Sequence, residues 1–422
     1  MKERYMKTLT YLSEVTSTSI HGYFCLKTGR KTVFLLKRVR TMHNCTLPVG
    51  PEHPFSKEPI NLALKIEGEK VIDADINLGY IHRGIEKLFE KKDVDSALFL
   101  ASRICGICPI SHTGALVTAL EKMQKITPTK KVNNIRVIIH ELERLQSHLL
   151  WIGYFGHEIG YETLFMFSWR EREKIMDILE KITGGRIHHS LMRLGTVRWD
   201  IKNEDYQFIN KRLNELKKKV SDYYKEVETS RVIKSRAIGV GTIENYLAKK
   251  YSLVGPVARG SGIQIDTRKQ DPYYSYKDFD FKIPVKDEGD AYARLFVRFE
   301  EIIQAISIIE QALDDMPSES LPEAVPQNIK KGLNYGRTEA PRGEDIHIVE
   351  VDNNKIVRVR VRPPTLAYLW ILREIVPGTN IGDIPVIVSS LDPCLSCCER
   401  MLVVDKNRGR IVGEKEVKNW KG

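Results

Sequence analysis

No run of 18 or more apolar residues occurs anywhere in the 422 residues, so the sequence carries no candidate membrane-spanning helix. The nearest, from Leu149 to Phe167, is interrupted by His157, Glu158 and Glu162. The first 40 residues lack a continuous apolar stretch followed by a small-residue cleavage site, which excludes reading them as a secretory signal. Internal repeats and low-complexity segments are missing too, so a repeat architecture is not expected. Cysteine is scarce, at seven residues. In a long chain expected to sit in the cytoplasm, where thiols stay reduced, those few cysteines point to metal or redox ligation and not to a disulfide framework. The net charge is +11, from 66 basic and 55 acidic residues, but no concentrated basic tract with interleaved aromatics accompanies it, so nucleic acid is not an expected partner.

What is present suits a large globular chain. A hydrophobic content of 42% can build a sizeable core, as one large domain or a few intertwined parts. Residues 1–48 are rich in Thr, Ser and basic side chains without sustained periodicity; they are read as an N-terminal extension, with Met42 as an alternative start. At residues 60–76, Leu62, Leu64, Ile66 and Val71 flank Glu67-Gly68-Glu69, which predicts a β-hairpin. Alternating Ile and Val around Asp352-Asn353-Asn354 predict a second hairpin over 345–362. Between them, residues 90–320 are expected to be a helical core. Ile135, Ile138, Ile139, Leu142, Leu145, Leu149 and Ile152 recur at three- and four-residue intervals as one long buried stripe. Further helices are expected over 170–182, 205–229 and 290–314, with breaks at Gly184-Gly185 and Pro317. The expected fold is therefore mainly α, a helix bundle carrying small antiparallel β-sheets.

Four of the cysteines fall into two pairs, Cys105-Gly-Ile-Cys108 and Cys394-Leu-Ser-Cys397. Each spacing lets both sulfurs of a pair reach one metal, and four thiolates favour a soft or borderline ion. Spacing alone also allows a structural zinc site. About 290 residues separate the pairs, however, whereas a zinc module closes a short loop to stabilise a small domain. A chain with this much core needs no such staple, so a site joining its two ends is better explained by chemistry.

The flanks identify which chemistry. Residues 103–112, Arg-Ile-Cys-Gly-Ile-Cys-Pro-Ile-Ser-His, and 392–400, Asp-Pro-Cys-Leu-Ser-Cys-Cys-Glu-Arg, resemble the two metal-binding motifs of nickel-iron hydrogenase large subunits. Gly50-Pro51-Glu52-His53-Pro54, Glu58-Pro59 and residues 82–88, His-Arg-Gly-Ile-Glu-Lys-Leu, are similar to motifs shared by energy-converting hydrogenases and the quinone-site subunit of respiratory complex I. So are residues 255–262 with Asp266, Arg268 and Pro272-Tyr273. The resemblance runs from about residue 47 to residue 400. Complex I relatives lack the paired cysteines, so the pairs argue for retained nickel-iron chemistry.

The resemblance implies roles for individual residues. Cys105 and Cys394 would be terminal nickel ligands. Cys108 and Cys397 would bridge nickel to an iron carrying carbon monoxide and cyanide. Glu58 matches a glutamate that exchanges protons with a terminal cysteine, a task burial would aid by raising its pKa. His112 would hydrogen-bond beside the cluster, and Arg342, within Glu339-Ala340-Pro341-Arg342-Gly343, would set a fixed positive charge over it. Glu86 matches a ligand of a further magnesium or iron ion, but its usual histidine co-ligand is Arg400 here; pairing with an arginine is the alternative. Cys25, Cys45 and Cys398 have no partner at ligand spacing and are read as bystanders. Glu141, Arg144 and His148 share a helical face, as a polar seam or a proton path.

With no cluster-binding run of its own, the chain would need an iron-sulfur small subunit to exchange electrons derived from H2 and protons. The resemblance further implies integral membrane, ion-translocating partners and a peripheral position on the cytoplasmic face. Residues 401–422 follow the point where related precursors are cut, so removal after Arg400 is expected. Two competing readings remain, a complex-I-like coupling subunit without nickel and a zinc-stapled binding protein.

Overall fold

A 29-residue helix, Lys130–Glu158, forms the spine of the molecule, seen in a computed structural model. The structure describes residues 45–324 and 329–398, and the backbone alone of the strands Phe24–Thr28, Lys31–Leu35, Val404–Asp405 and Arg410–Ile411. Met42, the side chain of Cys25, Arg400 with the expected cut after it, and the side chains of the 401–422 extension lie outside the described residues.

Thr129 caps the spine helix by accepting from Val132 N–H, and Pro128 just before it stops the preceding segment from continuing as helix. Apolar and charged residues alike are buried along most of its length, as befits a helix wrapped on all sides. We number the helices that matter here α1 (Pro109–Gln124), α2 (the spine), α3 (Glu162–Thr183), α4 (Asn203–Thr229), α5 (Ala291–Asp314) and α6 (Ile384–Leu391). Helices α3, α5 and α6 pack on α2, and α4 packs on both α3 and α5. The larger apolar core fills this bundle; a second lies between the first sheet and the C-terminal segments.

Two three-stranded antiparallel sheets flank the bundle. The first has the order β1 (Cys45–Val49), β2 (Asn61–Glu67), β3 (Lys70–Asn77). In the second, β5 (Gly343–Asp352) is central between β4 (Gly332–Ala340) and β6 (Lys355–Arg362). The fold is thus mainly helical with small antiparallel sheets, as expected. The differences are two outer strands. Residues 45–48, grouped above with the N-terminal extension, belong to β1, an edge strand that tolerates Pro48. Strand β4 carries two glycines and an asparagine, so no alternation announces it. One of those glycines is required: β4 crosses α1 so closely that a Cβ on Gly336 would stand 1.9 Å from the Ala115 carbonyl oxygen.

Candidate metal centre

Both cysteine pairs sit on turns whose shape the local sequence dictates. Pro109 opens α1 at its first position, which leaves Cys108 as the N-cap residue and Cys105 on the turn before it. At the other end of the chain, α6 terminates at Asp392 in the left-handed region (φ 58°), and Pro393 prevents the helix from resuming. Cys394 then caps a single 3-10 turn, Leu395–Cys397. Arg83 ties the two turns together, donating to the carbonyls of Arg103 (3.1 Å) and Ile104 (2.6 Å) on one and Ser396 (3.1 Å) on the other.

The result is a buried cradle of sulfur. Cys105 Sγ lies 3.3 Å from Cys394 Sγ, and Cys394 Sγ lies 3.3 Å from Cys397 Sγ. Cys108, His112 and Cys397 present ligand atoms within 4.8 Å of one another. All four cysteines are free and buried. Four thiols so close cannot all ionise by themselves. Hydrogen bonds from Cys108, Cys394 and Cys397 hold Cys105 well below the ordinary thiol range, while hydrogen bonding to Cys105 and then burial push the other three well above it. A cation among them removes that conflict, and an all-sulfur donor set fits a soft or borderline transition metal.

Arg342 is buried beside the cradle, where its fork is fully used. It donates to the Asp392 carbonyl (3.0 Å), the Asp392 carboxylate (2.7 Å) and Ser147 Oγ (3.2 Å). Burial opposes its charge, yet Asp392, Cys394 and Cys108 hold its pKa well above normal. Its position depends on a backbone crossing at Gly255 (φ +66°), where a Cβ would meet the Arg342 carbonyl oxygen at 2.1 Å. Glu58 is half-buried and fastens the C-terminal turn: its carboxylate accepts from Leu395 N–H, Ser396 N–H (3.0 Å) and Ser396 Oγ. Glu58 also lines a cavity of about 90 Å³ shared with Lys57, Tyr154, Arg342 and Cys394. The Lys57 ammonium lies 3.4 Å from the centre of the Tyr154 ring, and burial, opposed by Asp392, lowers its pKa to about 8.

His112 sits on α1 with Nε2 3.3 Å from Cys397 Sγ. Glu86 lies apart from the sulfurs. It accepts from Val361 N–H (2.9 Å) and pairs with Arg360 (3.2 Å), and it joins none of the metal-compatible clusters among the described residues. Cys398 is buried, with its thiol 3.7 Å from the Cys394 carbonyl, and Cys45 is remote on β1.

Glu141, Arg144 and His148 belong to a buried ionic seam between α2, α5 and β4. Glu141 accepts from Arg144 (3.0 Å), Arg268 (3.1 Å) and Tyr276 (2.6 Å). Arg259 joins Glu301 (2.7 Å) to Glu339 (2.9 Å), and His148 Nε2 is 2.7 Å from Glu301. Arg144 also donates to the Glu339 carbonyl (2.7 Å), so this seam fixes the segment that carries Arg342. Several supports of the site escaped sequence reasoning. Asp392 was visible as the residue before Pro393-Cys394. Glu143, whose carboxylate accepts from Ile110 N–H (2.6 Å) and Ser111 N–H (3.0 Å) at the start of α1, left no signal beyond its place on the spine helix. Asp345 and His347 were hidden in a strand read only for its alternation.

The thiol-lined cradle, buried in the core with a fixed positive charge beside it, could hold a metal ion. The family described as "Respiratory-chain NADH dehydrogenase, 49 Kd subunit" matches residues 158–329 and 324–400, and "Nickel-dependent hydrogenase" matches 83–203. A subunit of the F(420)H(2) dehydrogenase of Methanosarcina mazei is 37% identical, over 83% of this chain and 96% of its own length. The membrane-bound hydrogenase subunit alpha of Pyrococcus furiosus is 35% identical, over 88% and 91%. A chain of the membrane-bound sulfane sulfur reductase, an archaeal respiratory membrane complex, superposes with a TM-score of 0.80 at 30% identity, covering 85% of this chain and 99% of that one. The protein belongs to the family that unites the large subunits of energy-converting, membrane-bound nickel-iron hydrogenases with the 49 Kd subunits of complex I. It is a member of an oxidoreductase family whose relatives are subunits of membrane-bound respiratory complexes. Among the described residues, no helix is long and apolar enough to cross a membrane itself.

Proposed function

We propose that this chain is the catalytic large subunit of an energy-converting nickel-iron hydrogenase, forming or oxidising H2 reversibly. The observation that carries this reading is the meeting of four free thiols from pairs at opposite ends of the chain inside the core: Cys105, Cys394 and Cys397 are joined by 3.3 Å contacts, and Cys108 lies within 4.8 Å of Cys397. Cys105 and Cys394 would hold nickel terminally, and Cys108 and Cys397 would share it with an iron that also carries carbon monoxide and cyanide. When bound, such a pair supplies heterolytic cleavage of H2 and its reverse.

The chain's own residues do the remaining work. Arg342 holds a permanent positive charge beside Cys394 and Cys108, compensating clustered thiolates that a low-dielectric interior would otherwise reject. Glu58 and Cys394 line the same small cavity as Lys57, so the carboxylate would take a proton from that sulfur and release it toward the Lys57 side. Glu86 is assigned to holding the end of β6 through Arg360 and Val361.

Electrons would leave to an iron-sulfur small subunit. Integral membrane partners would couple that flow to ion movement, with this chain peripheral on the cytoplasmic face. The test is H2-dependent dye reduction by the purified complex: turnover that disappears in Cys394→Ser is expected, and a nickel-loaded complex inert toward H2 and protons would contradict the reading.

A second reading has its own support, since the 49 Kd description matches the larger part of the chain. A complex-I-like coupling subunit would hold no nickel and would leave four buried thiols without a task; a zinc site would hold zinc alone.

A further inference from the structure

Strand β5 leaves Arg342 and sends Asp345 and His347, two residues apart, toward the same face. Both are fully buried against α1. Asp345 Oδ2 lies 2.9 Å from His112 Nδ1 and 3.3 Å from His347 Nε2, and the two imidazoles approach to 3.1 Å. The contact between the imidazoles is a hydrogen bond, the two contacts of the carboxylate are ion-pair distances, and no other described group takes the carboxylate. The opposite edge of the His112 ring meets Cys397. His112 therefore spans from a metal-motif sulfur to the Asp345 carboxylate and the His347 ring, both on a different element.

The β-sheet register makes this arrangement specific. Asp345 pairs with Thr338 and His347 with Gly336, and Thr338 in turn donates to the Ser111 carbonyl (3.0 Å), the residue beside His112. Thus β4 and β5 are pinned to the first turns of α1, and Asp345 cannot drift from the His112 ring without breaking the sheet. A partner behind a ring that touches a metal-bound sulfur determines how that ring is aimed, and so how strongly it polarises the sulfur.

We propose that Asp345, supported by His347, is a positioning residue that aims the His112 ring at Cys397 and thereby tunes the electron density of that sulfur. This rests on the reading of Cys397 as a metal ligand, and a placement measurement separates the two. In the purified complex, Asp345→Ala shifts the carbon monoxide and cyanide infrared bands in the same direction as His112→Ala, while nickel content is retained. Because Asp345 acts only through the ring, Asp345→Ala adds no further shift in the His112→Ala background. Asp345→Asn, which keeps the volume, gives a smaller shift of the same sign and serves if the alanine variant fails to fold. Cryo-electron microscopy of the same variant complexes finds the His112 ring turned out of hydrogen-bond reach of Cys397. Bands that stay put, a shift that persists without His112, or a ring still seated on Cys397 would each overturn the proposal. Absence of the bands from the unaltered complex would instead remove the nickel-iron reading, and the ring's position in the variants would still decide the role of Asp345.

Discussion

The sulfurs of Cys105 and Cys394 touch at 3.3 Å although 289 residues separate them along the chain. Replacing either by serine exchanges a thiolate ligand for a hydroxyl that stays protonated and binds soft metals poorly. Cys105→Ser and Cys394→Ser are expected to purify without nickel and without H2 turnover. Cys398→Ser, next in the chain to Cys397 but outside the cradle, should keep both and change stability by less than about 1 kcal/mol. Metal analysis of the three variants side by side checks this.

Glu58 has two tasks that a single substitution separates. Glutamine keeps an oxygen to accept from the Leu395 and Ser396 amides but cannot carry the proton. Glu58→Gln should therefore retain metal, lose only about 1–2 kcal/mol of stability, and lose about a hundredfold or more in turnover. Hydrogen-deuterium exchange in H2 measures the proton step directly; exchange at the unaltered rate would assign Glu58 to fastening the turn alone.

Arg342→Lys keeps the charge and discards the fork. Lysine cannot serve the Asp392 carbonyl, the Asp392 carboxylate and Ser147 together, so buried hydrogen bonds are lost at a cost of about 1–3 kcal/mol. Gly255→Ala should mimic it without touching the arginine, because the new Cβ must push the Arg342 carbonyl aside. Both variants are expected to unfold at markedly lower urea concentration and to lose turnover together.

His140 gives stability a pH dependence of known sign. It is buried beside Tyr273 and Tyr274, neither ring nitrogen has a partner among the described residues, and burial lowers its pKa to about 3. Unfolded, the ring protonates near its ordinary value of 6.5. Between those values the unfolded chain binds a proton that the native chain refuses, so stability falls as pH falls. From pH 7 to 4.5 the unaltered chain should lose roughly 2–3 kcal/mol more than His140→Asn. Urea titrations at the two pH values measure it, and equal losses would mean that His140 is hydrated in the native state.

The sequence disclosed the parts of this protein that obey a period or a motif. The stripe from Ile135 to Ile152 betrays α2 because a helix buried all round still needs apolar residues at each turn. The cysteine pairs betray themselves because two thiols three apart serve little else in a large reduced chain. What stayed hidden is held by tertiary contact. Residues 45–48 pair with β2 through backbone groups, which leave no mark on side-chain pattern. Asp345 and His347 occupy inward positions of a strand where apolar residues are the norm, and only the crossing of β4 over α1, permitted by Gly336, brings them to His112. Glu58 stands out only through the motif it shares with the family; its hold on the C-terminal turn is made by tertiary contact.

Metal analysis with infrared spectroscopy on the native complex is the decisive measurement. Nickel and iron in equal amounts, with bands from bound carbon monoxide and cyanide, are expected, and all should vanish in Cys397→Ser. Zinc alone, or no metal on four intact thiols, would contradict the assignment of this cradle to hydrogen chemistry.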